Sequence, residues 1–222
     1  MSSLDPKPKI CIAGSQGLFL DAASAQFSEP IQQRVLATAN LIAQLPGVRE
    51  VVPGMNNLLV VYSPVDISIG ELTEQIFHAW SHVTVNEHVG REIDVPVIYG
   101  GQQGEDLAVI AELAKLDVQT FVRLHSEALY QVACVGAMPG FPYLSGLNPK
   151  LATPRRSVPR MRLEEGAIII GGAQAGIMPC SAPSGWHVIG RTELKLFDQQ
   201  RESPSFLQPG DRVRFSIAGI ES

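Results

Sequence analysis

The chain has 222 residues, with 22 acidic and 17 basic side chains, a formal net charge of −5 and an apolar fraction of 45%. This composition is typical of a soluble globular protein with one large domain or two small ones, and the acidic balance argues against a general nucleic-acid binder. The sequence predicts neither a membrane span nor a signal peptide, and the widely spaced Cys11, Cys134 and Cys180 predict free thiols in a cytoplasmic protein.

The first ninety residues predict a small α+β domain, with helices on one face of a mostly antiparallel sheet. Turn residues separate short apolar segments that are typical of strands. Ser28 is a suitable N-cap for a helix whose apolar residues fall on one stripe. The predicted strands are 9–13, 17–20, 48–52 and 58–62, and the predicted helices are 28–43 and 68–80.

A polar segment without clear periodicity, residues 83–90, predicts a boundary between domains 1–90 and 91–222. Beyond it, short strands separated by Gly and Pro turns favour a small barrel or sandwich. Pro96 indicates an edge position for the first of these strands. The predicted strands are 92–99, 130–135, 167–170, 186–189, 194–197 and 212–217, and the predicted helices are 105–116 and 118–127.

An apolar segment rich in Gly and Pro, residues 135–147, contains the aromatic residues Phe141 and Tyr143. Its prolines and glycines argue against a regular helix or a central strand. Its apolar character argues against a solvated linker. We therefore expect it to line a core or a cleft.

A basic run follows this segment and contains Arg155, Arg156 and Arg160. These arginines, with Arg191 farther along the chain, could bind a carboxylate or phosphate through paired hydrogen bonds. The alternative is ion pairing with Glu164, with Glu165 or with a partner chain. The flanking prolines favour an ordered surface, but both alternatives remain open.

Two Gly-rich segments resemble nucleotide-binding loops, but the residues around them argue against that function. Residues 100–106 lack the Lys and Ser or Thr of a phosphate loop, and Glu105 and Asp106 suit a helix N-terminus instead. Residues 171–176 follow a strand without a convincing helix after them, which favours a tight turn. The Gln174 amide in that turn could contact a ligand.

Several isolated polar residues are weak candidates for chemistry. His78 and His82 have the spacing of two zinc ligands but no predicted third ligand, so we interpret them as surface histidines, and no metal site is predicted. Cys180, Ser181 and Ser184 lack an identifiable base and are interpreted as structural. His125, late on a predicted helix, could be a general base or could bond a loop carbonyl, and both readings remain open.

A series of motifs runs in one order along most of the chain: residues 53–57, 96–101, 106–109, 124–126, 138–144, 151–156, 159–160, 171–176, 184–186 and 189–192. Together they resemble the B-type subunit of 5-oxoprolinase. They are also similar to the Kip-type histidine-kinase inhibitors and to the first subunit of the allophanate hydrolase and urea carboxylase carboxyltransferase module. Three positions depart from the family pattern: Ala137 and Met178 stand where an aromatic residue is usual, and Ser184 replaces a Gly.

The resemblance implies a small N-terminal α/β domain followed by a cyclophilin-like β-barrel domain. It also implies two partners, a homologous cyclophilin-like subunit of the C type and a third subunit of the A type. The complex would use ATP to hydrolyse 5-oxo-L-proline, a cyclic amide, to L-glutamate. Whether ATP contacts this chain is left open. Phosphorylation of the lactam oxygen would make the carbonyl a better electrophile, and cationic and amide donors would stabilise the developing charge.

The family resemblance and the residue chemistry together give a set of candidate site residues. We expect His125, Arg155 and Arg156 to act in catalysis. Two other functions fit the same resemblance, inhibition of a sensor histidine kinase and one half of a urea-type carboxyltransferase. The candidate substrate-binding residues are Phe141, Tyr143, Arg160, Gln174, Trp186 and Arg191.

Overall fold

The structure is a computed structural model that describes residues 8–23, 26–84 and 90–221. The chain forms two compact units, one before residue 90 and one from Gly90 onward. The segment expected to join the domains, 83–90, lies mostly outside the described residues, as does the N-terminus up to residue 7. Among the described residues, no helix is long and apolar enough to cross a membrane.

The first unit confirms the predicted element order of two strands, a helix, two strands and a helix. Its four strands form an antiparallel sheet in the order β1-β2-β4-β3. The elements are β1 (Lys9–Ile12), β2 (Gly17–Asp21), α1 (Glu29–Ile42), β3 (Val48–Pro53), β4 (Asn57–Tyr62) and α2 (Ile69–His82).

Local signals explain why this unit was predictable. The side chains of Ser28 and Ser68 accept hydrogen bonds from the third backbone N–H beyond them, which caps α1 and α2. Side chains of β4 alternate between buried and partly exposed. Leu58 and Val60 are fully buried and pack in one cluster with helix residues such as Val35.

The second unit contains a closed seven-stranded barrel in the order β10-β7-β6-β13-β5-β12-β9. β13 pairs in parallel with β5, and the other recorded pairs are antiparallel. The barrel confirms the predicted α+β class. Its strands are β5 (Glu92–Gly100), β6 (Tyr130–Val135), β7 (Pro142–Ser145), β9 (Ala167–Gly171), β10 (Gln174–Ile177), β12 (His187–Arg191) and β13 (Arg212–Glu221).

Two helices and a small separate sheet complete this unit. The antiparallel pair β8 (Arg160–Leu163) and β11 (Ala182–Ser184) lies outside the barrel. Helices α3 (Leu107–Leu113) and α4 (Val118–Ser126) pack buried side chains into the barrel core. Asp117 caps α4 as predicted, because its side chain accepts from the Thr120 N–H. Single 3-10 turns occupy Gly101–Gln103 and Pro149–Leu151.

Three expectations for the second unit were wrong. The apolar segment contains a barrel strand, β7, which begins at Pro142, where the missing donor of proline is tolerated. Pro96 lies on a strand between β12 and β13 rather than at an edge; the recorded pairs with β12 involve only Ile98 and Tyr99. Residues 194–197 form no strand, and Phe197 makes one isolated bridge to Ser205.

Candidate functional site

Three aromatic rings form a cluster on one side of the barrel. The rings of Phe141 and Tyr143 meet edge to face at 4.9 Å, and the Trp186 ring lies 5.8 Å from Phe141 and 6.1 Å from Tyr143. Gly171 lets the cluster form, because a Cβ there would lie 2.5 Å from the Trp186 ring. The Gly-rich segment 171–176, which contains the turn from β9 to β10, therefore packs closely against an aromatic surface.

Arg155 lies over this cluster. Its guanidinium carbon is 5.4 Å from the centre of the Trp186 ring, within range of a cation–π contact. The backbone is fixed on both sides of it: Thr153 bridges to Gly172, and the Arg156 backbone N–H donates to the Gly185 carbonyl oxygen at 2.8 Å. Because Trp186 is buried and Arg155 is exposed, the segment presents a cation above an apolar base.

Asp106 holds the other two arginines of the basic run. Its carboxylate accepts from Arg156 Nη1 at 3.0 Å, and from Arg160 Nη1 at 2.7 Å and Nη2 at 2.9 Å. It also accepts from the Val188 amide at 2.8 Å. Burial alone would raise the pKa of Asp106, but the hydrogen bonds from Arg160 and Val188 lower it below its usual range.

The sequence alone does not indicate this role of Asp106. The local pattern places the residue at a helix N-terminus, yet it is only 6% exposed, and α3 begins one residue later without a side-chain cap bond. Glu105 pairs with Arg160 at 2.9 Å. The ion-pair partners of Arg156 and Arg160 are thus Asp106 and Glu105, and not Glu164 or Glu165. Asp106 and Arg160 are 54 positions apart, and no local pattern links them.

His125 lies in the barrel core. It is fully buried, its Nδ1 is 2.8 Å from the Tyr99 hydroxyl, and its ring stacks on Phe215 at 4.6 Å. The hydroxyl of Tyr130 donates to the His125 carbonyl. Burial lowers the pKa of His125 to about 3, so its ring is neutral at pH 7. This position favours a structural role over proton transfer to a substrate at the surface.

The remaining candidates lie at two other places. Gln174 opens β10 and pairs with Gly171 across the turn next to Trp186. Arg191 ends β12 and lines two cavities with Gln102 and Gln103. The structure thus gathers Arg155 with the aromatic cluster and joins Arg156 to Arg160 through Asp106. His125 belongs to neither group.

The three departures from the family pattern have clear structural settings. Ala137 adopts a left-handed φ of 62°, a conformation in which Gly is favoured. Met178 is fully buried in the apolar cluster around Trp186. The Ser184 hydroxyl accepts from the Trp186 backbone N–H at 3.2 Å and so helps to fix the backbone that carries the ring.

The sequence model of the carboxyltransferase domain, subdomain C and D, matches residues 8–207 of this chain. The chain is 40% identical over 190 residues to the B-type subunit of 5-oxoprolinase from Haemophilus influenzae, a match that covers 86% of this chain and 89% of that protein. It is 41% identical over 184 residues to the protein of the same name from Escherichia coli O157:H7, covering 83% and 84% of the two chains. The Bacillus subtilis protein of that name is 31% identical over 214 residues, covering 87% and 88%.

Solved structures show the same fold. The crystal structure of TTHA0988 matches with a TM-score of 0.80 and 34% identity, covering 91% of this chain and 40% of that one. This chain therefore spans two-fifths of the length of TTHA0988. The uncharacterised protein PH0987 from Pyrococcus horikoshii matches at 0.57 and 33%, covering 95% and 98%. The urea carboxylase of Kluyveromyces lactis matches at 0.76, covering 98% and 22%, but its 19% identity shows the fold alone.

Proposed function

The chain belongs to the carboxyltransferase-domain family, subdomains C and D, and from this premise we propose that it is the B-type subunit of an ATP-dependent 5-oxoprolinase. The reaction would open the ring of 5-oxo-L-proline to L-glutamate. One observation carries the proposal. Two relatives named as the B-type subunit of 5-oxoprolinase are identical to this chain at about two-fifths of the aligned residues, over most of both chains. The chain would act as part of a hydrolase and not by itself.

The proposal includes two partner subunits. The relatives are named as one lettered part of an enzyme, which implies further parts, and we propose a homologous barrel subunit of the C type and a third subunit of the A type for this chain. TTHA0988 supports a larger assembly, because this chain corresponds to only 40% of that polypeptide. Separate polypeptides would supply the parts of the enzyme that this chain lacks.

We propose that Arg155 is the cation that this chain offers to the shared site. The charges of Arg156 and Arg160 are balanced by Asp106 and Glu105, whereas Arg155 lies exposed on Trp186. A guanidinium over an aromatic face is held in place while its N–H groups remain able to donate. It could stabilise negative charge on a phosphorylated lactam or on the oxygen of the ring-opening intermediate.

The ATP that this reaction needs does not fit the segment 100–106. Glu105 and Asp106 place two carboxylates where a phosphate group would have to lie, and Asp106 is already bound to two arginines. ATP would supply the phosphoryl group that activates the lactam oxygen. We propose that one of the partner subunits holds ATP, while this chain positions and stabilises the substrate end of the reaction.

The test combines the purified chain with its two cognate partner subunits and measures glutamate released from 5-oxo-L-proline. Release should require ATP and all three subunits, and the chain alone should show no turnover. Arg155→Gln should lower kcat by roughly tenfold or more, since one charge-assisted contact would be lost. Arg123→Gln, on the exposed face of α4, should leave the rate unchanged. An associated three-subunit complex that releases no glutamate would refute the proposed function.

A further inference from the structure

The Gly-rich segment 100–106, which fails as a phosphate loop, has a tightly constrained shape. Gly100 has a left-handed φ of 77°, and a Cβ on Gly104 would lie 2.6 Å from both the Gly100 nitrogen and the Ile189 carbonyl oxygen. Only glycine fits these contacts without displacing backbone. The segment turns at the end of β5 and leaves the side chains of Gln102 and Gln103 exposed beside β12.

These two glutamines and Arg191 line two cavities, which therefore adjoin. One cavity has a volume of about 130 Å³ and a floor that includes Leu163, Ala167 and Val188. The other has a volume of about 200 Å³ and extends from the same three polar residues to Ile98 and Glu221. At ~30 Å³ for a water-sized group, the pair has room for roughly ten non-hydrogen atoms.

Arg191 keeps most of its charge available to a ligand. Within the part of the chain that the structure describes, its ion pair is a single contact at 3.2 Å to Glu193, whose side chain is 83% exposed. An exposed pair of this kind contributes little, and a ligand carboxylate could replace it with two parallel hydrogen bonds. Arg191 therefore differs from Arg156 and Arg160, which a buried carboxylate already holds.

Three glutamates line the smaller cavity, Glu105, Glu164 and Glu165, and the first two already bind arginines. Glu105 contacts Arg160 at 2.9 Å, and Glu164 contacts Arg162 at 2.8 Å. Their charge is thus partly neutralised before a ligand enters. The two glutamine amides add donors and acceptors that suit another amide, because an amide both gives and accepts a hydrogen bond.

We propose that these two cavities form the site at which this chain binds a small carboxylic acid that carries an amide group. Arg191 binds the carboxylate, and Gln102 and Gln103 bind the amide. The ligand class rests on the proposed function, since 5-oxo-L-proline has these two groups and nine non-hydrogen atoms. The floor residues Leu163, Ala167 and Val188 also belong to the buried apolar cluster that contains Trp186. The same cluster therefore supports this site and the aromatic rings.

The site can be tested by NMR on the isotope-labelled full chain, titrated with 5-oxo-L-proline into the tens of millimolar. Amide signals of Gln102, Gln103 and Arg191 should shift in a saturable way. 2-Pyrrolidone, which lacks the carboxylate, and acetate, which lacks the amide, should each bind roughly tenfold more weakly. Absence of saturable shifts at these residues, or shifts confined to the turn 171–176, would overturn the proposal.

Variants sharpen this result. Arg191→Gln should weaken 5-oxo-L-proline binding by roughly tenfold or more, and Arg191→Lys, which keeps the charge but not the fork, should weaken it less. Arg123→Gln is the matched control, because Arg123 is also exposed and has one glutamate partner, at 3.3 Å. The NMR spectrum of each variant shows directly whether it is folded. Equal affinity in Arg191→Gln and the parent protein would place the carboxylate elsewhere.

A failure of the proposed binding site can be told apart from a failure of the proposed function. If the three-subunit complex releases glutamate but Arg191→Gln changes neither KM nor binding, the site is wrong and the function stands. If binding depends on Arg191 but the complex has no ATP-dependent activity, the site stands and the 5-oxoprolinase assignment fails.

Discussion

The buried histidine of the barrel predicts a measurable loss of stability in mild acid. His125 is fully buried between Tyr99, Tyr130 and Phe215, and burial lowers its pKa from 6.5 to about 3. In the unfolded chain the same ring would take up a proton near pH 6.5. Between these values the unfolded state binds one more proton than the folded state, so stability must fall as the pH falls.

The size of this effect follows from the two pKa values. At pH 7 the unfolded ring is mostly neutral, and the linkage is close to zero. pH 5 is about 1.5 units below the pKa of the ring in the unfolded chain. At ~1.36 kcal/mol per unit, protonation of that ring favours unfolding by about 2 kcal/mol. The loss begins below pH 6.5 and approaches its limit near pH 3, where the folded ring would also take up a proton.

The assay is urea unfolding of the barrel at pH 7 and at pH 5. A Trp80→Phe background leaves Trp186 as the fluorescent reporter of the second unit. His125→Asn keeps a polar atom near the position of Nδ1, within reach of Tyr99, but cannot titrate. Its absolute stability should fall, whereas its change between the two pH values should be smaller by about 2 kcal/mol.

The comparison cancels the other titrating groups, because they are present in both proteins. If both proteins lose the same stability between pH 7 and pH 5, within about 0.5 kcal/mol, the barrel does not hold His125 in its neutral form. That result would also reopen a surface role for this ring in proton transfer.

Three further predictions concern the arginine and aromatic clusters. Asp106→Asn should lower the free energy of unfolding by about 2–3 kcal/mol in urea, because two guanidinium groups lose their shared partner; a change under about 0.5 kcal/mol would contradict this. Gly171→Ala should cost about 1–3 kcal/mol and shift the fluorescence of Trp186, since the new methyl group collides with that ring; an unchanged spectrum would count against the packing described. Ala137→Gly should raise stability by roughly 0.5–1 kcal/mol, the relief of left-handed strain less the entropy cost of glycine, and a lower calorimetric melting temperature would show that Ala137 is not strained.

The first unit was predictable because its signals are local. The caps at Ser28 and Ser68 and the alternation in β4 act within a few residues of chain. In the second unit, β7 was hidden by Pro142, whose effect depends on whether its position needs a donor. That need is set by the neighbouring strands, and the sequence does not reveal them.

The candidate site was predictable only in part, because its geometry depends on distant pairings. The motif that carries Trp186 and the run that carries Arg155 could be recognised from their residues, but the contact between them arises when β12 folds beside the turn 171–176. The residues next to Asp106 in the sequence predict only that it begins a helix. Its true partners are about fifty positions away, and a single sequence gives no signal that joins them.

The charge balance of the cluster explains why three neighbouring arginines can have different roles. Arg155, Arg156 and Arg160 contribute three positive charges, and Glu105 and Asp106 contribute two negative ones, which leaves one positive charge. Geometry assigns that charge to Arg155, because the carboxylates hold the other two. Asp106 also accepts from the Val188 amide, two residues after Trp186 at the start of β12. The same carboxylate thus fixes two arginines and the ring on which the third one rests, so removing it should disturb Arg155 without touching it directly.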